Sequence, residues 1–545
     1  MSEPVESPLS ERLAALLADL QRGSELAPQE LNRALRRTTW LVEEPRAEWP
    51  EFFRRVTELE LPLPANTERL LTAIFTEMVQ QRRKSLSTGE GRDCLTAAES
   101  LLKVLQQLYL QLPNRSSAKA PILTWLAVGG DTPQLELLVE LLLADPPDDE
   151  QQVALAMSPL FLKRPLPVAA LFPKLFAAID KPQLAAAVID LANFLTREEM
   201  VPEHPGVSLA TPLIELLGSL AQTLAQLEER PEDFAETPQQ LGQRVAHSVS
   251  LAVSLCDALA LIGDERAVGK LNQAIAIAHR RVRTEAAAAL ARFGEQQGQD
   301  TLVELAAEPV ARLRVLAYGQ ELNLLEKIPS QYLTAAARAE AELVVWLAEP
   351  TQFGVPPTQI ELVDQRRQRW PGYSTEVDCF LFRFAYRVTL EDGRQRSYSN
   401  VGIAGPLAHA FTADLADLSP DDIYAAFAGW QAEHEDIKQY DVARLSKAEQ
   451  TEVVRLQRRL HDAGFTEIEP QQMGYFFGEK ALLATARRDG AAGVAVADFD
   501  DLLFYPARQP KRSIGLEEAY SIYKGRKLLR GFNQPPTAPN EAPAI

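Results

Sequence analysis

The side chains best suited to chemistry lie in "LFRFAYRVTLEDGRQRSYSNVGIAGP", residues 381–406, where Arg383, Arg387 and Arg396 accompany Tyr398. Guanidinium groups beside an aromatic ring suit a phosphate, an acidic peptide or single-stranded nucleic acid. Arg366, Arg367, Arg369 and Trp370 stand just upstream and extend the basic cluster. A second set is Arg283 in "RRVRTEAAAALAR" (280–292) with Arg314, recurring opposite the turn positions Asp264 and Glu295. This set reads either as a ladder of ion pairs between successive helices or as a ridge that binds a phosphate or a partner. Both sets also have a plain structural reading, in which arginine stems shield a one-sided surface and their charges pair with nearby Asp and Glu.

No constellation for bond making is present. Cys94, Cys256 and Cys379 are dispersed without CxxC spacing, which argues against a disulfide framework or a cysteine zinc site. Cys379 with His409 or His461 would be a Cys–His pair only if the fold joined them, and a buried structural thiol is the simpler reading. "EHED" (433–436) and "DFDD" (498–501) match no EF-hand loop, there is no HExxH, and "SNVGIAGP" (399–406) is neither GxGxxG nor GxxxxGK[ST]. No catalytic residue, metal or cofactor is therefore assigned, and a small-molecule ligand stays open.

The elements that hold the arginines are legible. Phe380, Phe382, Phe384, Tyr386, Val388 and Leu390 alternate with more polar neighbours, the period of a strand. Asp392-Gly393 suits a two-residue type I′ turn. With Glu391 and Arg394 as flanking pair, Phe384 is expected opposite Val401, Phe382 opposite Ile403, Tyr386 opposite Ser399 and Arg387 opposite Tyr398, with the three arginines sharing one face. A second hairpin, "KALLATARRDGAAGVAVADF" (480–499), turns at Asp489-Gly490, and "DLLFYP" (501–506) adds a strand. Three helices are expected: one from Pro420 behind Ser419, one whose capping box is Ser446 and Glu449 and which Gly464 closes, and "GLEEAYSIYKGRKLLRG" (515–531). Residues 360–531 thus read as an α+β domain with a small antiparallel sheet, after a linker at 348–359 and before a disordered Pro-rich tail at 532–545.

Upstream, from about Leu9 to Leu347, apolar residues recur with helical spacing and breaks fall every 12 to 20 residues at Pro, Gly or acidic turns. "ALALIGDERAVGKL" (258–271) returns as "ALARFGEQQGQDTL" (289–302), an offset of 31 that also places Arg283 over Arg314. "WLAVGGDTPQLELL" (125–138) is a fainter copy. The unit is a helix, a Gly-Asp turn and a second helix, with Gly in the left-handed position and Asp as cap. This pattern resembles the short HEAT-like repeats named after the phycobilisome lyases, most closely in 256–294 and recognisably to about 325. The resemblance implies an α-solenoid over 121–347, with 1–120 a helical N-terminal segment whose place as the start of the solenoid is open. "SNVGIAGP" and "AAFAGWQAEHEDI" are similar to parts of uncharacterised bacterial HEAT-repeat proteins, a likeness that assigns no residue roles. The fold class is therefore mainly α, a helical solenoid followed by a smaller α+β domain with antiparallel hairpins.

A chain of 545 residues is too long for one core, and 46% apolar with 24% charged residues is ordinary for a soluble protein. A formal net charge of −19 argues against a nucleic-acid or membrane partner for the chain as a whole. The acidic N-terminus lacks the form of a signal peptide and no apolar run reads as a membrane span, so a cytoplasmic location is expected. The leading expectation is a non-catalytic scaffold that binds a protein partner through the helical surface, with the C-terminal domain capping or docking. The alternatives are a lyase-like accessory acting on a cofactor-bearing protein, implied by the resemblance alone, and an arginine-patch nucleic-acid binder.

Overall fold

The computed structural model describes residues 9–88, 97–230, 234, 237–389, 394–405, 410–412, 415–432, 436–507 and 514–533. The chain is mainly helical, with antiparallel sheets confined to its C-terminal part. It divides into two compact units, Met1–Leu302 and Val303–Ile545.

In the first unit the helices alternate between two rows. Helices Ala65–Thr88, Lys119–Gly129, Glu150–Met157, Pro182–Arg197, Pro238–Ile262 and Arg280–Arg292 each pack on the next. Glu99–Gln111 lies on Thr132–Ala144, and Ala210–Glu229 lies on Val268–Ala274, in the other row. The glycines do what their spacing predicts: Gly130, Gly263 and Gly294 have φ of 70°, 74° and 82°. The side chains of Asp131 and Asp264 then accept the N–H groups of Gln134 and Arg266. Helix Lys119–Gly129 is buried at every position, as a helix apolar all round must be. Its final carbonyls are met by cations: Arg82 donates to the Trp125 oxygen (2.8 Å) and Arg164 to the Ala127 and Val128 oxygens (2.6 and 2.8 Å). Segments Val207–Glu229 and Gln239–Ile262 are long and apolar enough to cross a membrane by composition, which the sequence reading did not find. The helices that contain them pack on each other and bury Leu213, Leu217, Leu224, Leu251, Leu255 and Leu259.

The second unit begins with helices Pro309–Glu321 and Ala335–Leu347 and continues into two antiparallel sheets rather than one. The first contains β1 (Gln359–Arg369), β2 (Glu376–Thr389), β3 (Gln395–Ala404) and β4 (Ala410–Thr412), and the second β5 (Ile437–Asp441), β6 (Thr466–Phe476), β7 (Glu479–Arg488), β8 (Ala491–Ala497) and β9 (Leu502–Pro506), each in sequence order. Helices Pro420–Gln431 and Leu516–Asn533 form a central layer between the sheets; they contact Leu381, Val401 and Ile403 on one side and Ala481, Leu483 and Val496 on the other. Helix Ala335–Leu347 covers the outer face of the first sheet, against Phe380, Phe382, Phe384 and Tyr386. Helix Lys447–Asp462 covers the outer face of the second. The division of the chain therefore lies upstream of the expected linker at 348–359, because the last helix before that linker shares a core with the sheet. The linker itself is docked, with Phe353 stacked on Tyr386 at 4.6 Å between centroids and the Tyr386 hydroxyl donating to the Val355 oxygen.

The first hairpin exists, but its register differs by one residue from the expectation. Phe384 pairs with Asn400, Phe382 with Gly402, Tyr386 with Tyr398 and Arg387 with Ser397. The reason is that both faces of the sheet are buried. The expected register places Val401 and Ile403 with the phenylalanines on one face. The observed register moves them to the face of Leu381, so each face meets its own helices, and each buried aliphatic or aromatic side chain contributes about 1.5–3 kcal/mol. The paired positions leave an odd number of residues between strands, incompatible with a two-residue loop. Asp392-Gly393 itself lies outside the described residues, as do Cys94, His409, Pro406, Glu433–Glu435 and residues 534–545 of the tail.

The second hairpin follows the expectation. Arg488 pairs with Ala491 around Asp489 (φ 52°) and Gly490 (φ 80°), and β9 adds beyond β8. Ser419 caps its helix through the Asp422 N–H, and Ser446 and Glu449 form the capping box.

The two halves of the sheet region repeat one plan, an antiparallel meander followed by a central helix. "DDIYAAFAG" (421–429) matches "EEAYSIYKG" (517–525) at an offset of 96. The contact between these helices is reciprocal at the same offset: a Cβ on Gly429 would lie 1.9 Å from the Ser521 oxygen, and one on Gly525 would lie 1.6 Å from the Ala425 oxygen. Glycine is required at both because the backbones touch. The halves differ at one edge, where β5 pairs with Gln472–Phe476 of β6 and β1 has no such neighbour among the described residues.

Candidate functional site

The arginines singled out from sequence do not form one face. Arg383 and Arg387 point to the side of Leu381, whereas Arg396 and Tyr398 fall on the side of Tyr386 and Val388, a consequence of the one-residue change in register. Arg383 is half-buried; its Nη1 is 3.1 Å from Glu361 and its Nη2 donates to the Ala416 oxygen at 3.2 Å. Arg387 is exposed, and Arg396 lies over the Tyr398 ring at 5.0 Å. Upstream, Arg366 is held by Asp364 (2.5 Å) and Asp421 (2.6 Å), and the Trp370 ring is buried with its N–H donated to Gln431. Trp370 is thus a core residue. Arg283 is half-buried on helix Arg280–Arg292, and Arg314, exposed in the second unit, lies 4.8 Å over the Tyr318 ring.

One set of ion pairs that crosses successive helices centres on Asp257. Asp257 of helix Pro238–Ile262 is bound by Arg197 of the preceding row helix (Nε, 3.2 Å) and by Arg292 of the following one (3.3 Å). Asp264 instead turns to its own neighbour Arg266, whose Nε is 3.0 Å away, since a residue capping a turn has its carboxylate aimed along the chain. On the same side, His204 accepts the Gly206 N–H at Nδ1 and bonds Asn193 at Nε2, both at 3.0 Å. Burial lowers this histidine from 6.5 to about 4, so it is neutral near pH 7.

A concavity of 1040 Å³ lies in the first unit at the starts of three successive row helices. Asn114 borders it from the loop after helix Glu99–Gln111, and Gln151, Gln152, Gln183, Gln243 and His247 come from helices Glu150–Met157, Pro182–Arg197 and Pro238–Ile262. Several ionisable groups around it are engaged: His247 Nδ1 is 2.6 Å from Glu150, Arg115 is 3.7 Å from Asp148, Asp149 caps the Gln151 N–H, and the exposed Arg244 lies 6.0 Å from the Phe234 ring. The groove presents carboxamides together with the Arg244 guanidinium. An exposed carboxamide offers a donor and an acceptor in one plane, the same pattern as a peptide group; the Gln152 Oε1 atom is itself buried. No motif marked this site, yet its signal is present in "DEQQ" (149–152), "KPQ" (181–183) and "TPQQ" (237–240), glutamine recurring at consecutive helix starts. A smaller concavity of 740 Å³ beside β5 and β6 is lined by Lys438, Tyr440, Arg444, Tyr475 and Phe477.

The candidate nucleophiles and ligands have structural roles. Cys256 and Cys379 are buried, and burial raises both thiols, Cys379 to about 11, where the sulfur meets Gln368 and the Val377 carbonyl. Asp498 of "DFDD" accepts the Asp500 N–H, the Tyr523 hydroxyl and the Lys527 ammonium, at 2.6, 2.9 and 2.8 Å. Among the described residues no group of three or more His, Cys, Asp or Glu converges as a metal site would. No protein-family model, curated protein or solved structure matches this chain.

Proposed function

We propose that this chain is a protein-interaction scaffold whose helical part is a HEAT-like α-solenoid, working in the cytoplasm. The observation that carries the reading is the carboxamide groove. It is assembled from equivalent ends of consecutive helices, so its length follows from stacking, and it offers main-chain-like hydrogen bonding to an extended segment of a protein partner. The Arg197–Asp257–Arg292 ladder supports this by fixing neighbouring helices at the spacing the groove needs. The aromatic face of β2 covers helix Ala335–Leu347, in keeping with a domain that ends the helical part.

The test is affinity capture from the source cells with the full chain and with a Gln183→Arg/Gln243→Arg variant. Both positions are on the groove surface, so helix content by circular dichroism should be unchanged. Partners recovered by the wild-type chain and lost by the variant are expected. Identical recovery by both would overturn the groove as the binding surface.

A further inference from the structure

We infer that the edge of β1 at Gln365–Arg369, which has no neighbouring strand among the described residues and only the Asn533 side chain at its Arg369 end, is a second docking site, one that accepts an extended acidic segment of a protein partner as an added strand in place of that side chain. It is separate from the helical groove and stands or falls independently of it.

The duplicated plan supplies the geometry. β6 and β1 hold the same place in their meanders, since each hands the chain to the next strand through its last residue, Phe476 opposite Glu479 and Arg369 opposite Glu376. In the second half β5 pairs antiparallel along Gln472–Phe476. The corresponding stretch of the first half is Gln365–Arg369, and there the first sheet ends among the described residues. The first half is therefore one strand short of its own template.

Asn533 provides an independent observation. Its carboxamide accepts the Arg369 N–H at 2.8 Å and donates to the Arg369 oxygen at 3.2 Å. That reciprocal pair on one residue is the pattern a neighbouring antiparallel strand makes, so the Arg369 peptide groups face outward and bond to a strand-like partner. By the alternation of a strand, the peptide groups of Arg367 and Gln365 face the same way.

Charge selects the partner. Gln365, Arg367 and Arg369 are exposed, and the Arg367 side chain keeps 71% of its surface while standing 3.6 Å from Glu376. Basic side chains on an edge strand discourage pairing with a second copy, because arginine would oppose arginine. An acidic segment reverses that sign, gaining charge pairing on top of the main-chain ladder.

The experiment uses the full chain and three synthetic peptides at low ionic strength, read by fluorescence anisotropy and amide hydrogen exchange. They are an acidic strand-former (TEVEVEVT), its lysine counterpart (TKVKVKVT), and the acidic sequence interrupted by proline (TEVEPEVT). The acidic strand-former should bind at least tenfold more tightly than either other peptide and slow amide exchange at 365–369. Arg367→Pro removes an outward N–H that β2 does not use and should cost tenfold or more, with thermal unfolding measured to confirm the fold. Arg367→Glu, which keeps the N–H, should weaken the acidic peptide and strengthen the lysine one. Equal binding of the acidic and proline peptides, comparable binding of a single-stranded oligothymidylate, or no binding of the acidic strand-former would each overturn the proposal.

Discussion

Replacing Gly525 by alanine is the sharpest structural test of the second unit. The added Cβ would lie 1.6 Å from the Ala425 oxygen, less than half an ordinary carbon–oxygen contact, and the obstacle is backbone. Helices Pro420–Gln431 and Leu516–Asn533 must then separate, opening the layer against which both sheets pack. Overpacking of this kind costs roughly 1–3 kcal/mol and more when backbone must move, so about 2–4 kcal/mol is expected, against a helix-propensity gain of up to about 1 kcal/mol. Gly531 of the same helix has nothing within 4 Å of its Cβ position, so Gly531→Ala isolates the propensity gain. Because two-state unfolding is not expected of a chain with two compact units, amide hydrogen exchange of the two helices is the suitable assay. Exchange in Gly525→Ala should accelerate roughly 30- to 700-fold, at about tenfold per 1.4 kcal/mol, and stay equal or slow in Gly531→Ala. Equal behaviour of the two variants would refute the close crossing.

Three further outcomes follow from the sites described. His204 is neutral when folded, with its pKa lowered from 6.5 to about 4; the unfolded chain binds the extra proton, so stability is full above pH 6.5 and falls as pH drops toward 4. At pH 5 the loss around residues 182–209 should be about 2 kcal/mol relative to pH 7, and His204→Gln should flatten that part of the profile. Asp257→Asn, which loosens both rungs of the ladder, should destabilise its helix neighbours by about 1–3 kcal/mol in exchange or melting, whereas Asp264→Asn, at a solvent-screened local pair, should have a much smaller effect. Cys256 and Cys379 should resist an aromatic disulfide reagent until the chain is denatured, and rapid labelling of either in the native protein would contradict their burial.

What was legible in the sequence was local. Gly263 and Gly294 at a fixed offset, Asp264 beside the first, the Asp489-Gly490 turn, and the caps at Ser419 and Ser446 act within a few residues and appear in the structure as read. What escaped depends on partners distant in sequence. The register of β2 and β3 is decided by which helices cover each face, and only the fold reveals that both are covered. β1 was missed because a bulge between Leu362 and Asp364 breaks its alternation and its second half is "QRRQR". The Asp257 ion pairs were not anticipated because their partners Arg197 and Arg292 lie 60 and 35 residues away and no repeat signature marks them. The 96-residue duplication was visible in "DDIYAAFAG" and "EEAYSIYKG", but identity at few positions gains weight only when the two glycines are seen to face the reciprocal residues.

The central claim is that the groove at the helix starts holds a protein partner. Site-specific photo-crosslinking measures this directly, with a photoreactive amino acid placed at Gln183 in the groove or, as control, at Gly531. A discrete higher-mass adduct from Gln183 is expected in cells, absent from Gly531 and competed away by untagged full chain. No adduct at Gln183, or the same adduct from both positions, would contradict the claim.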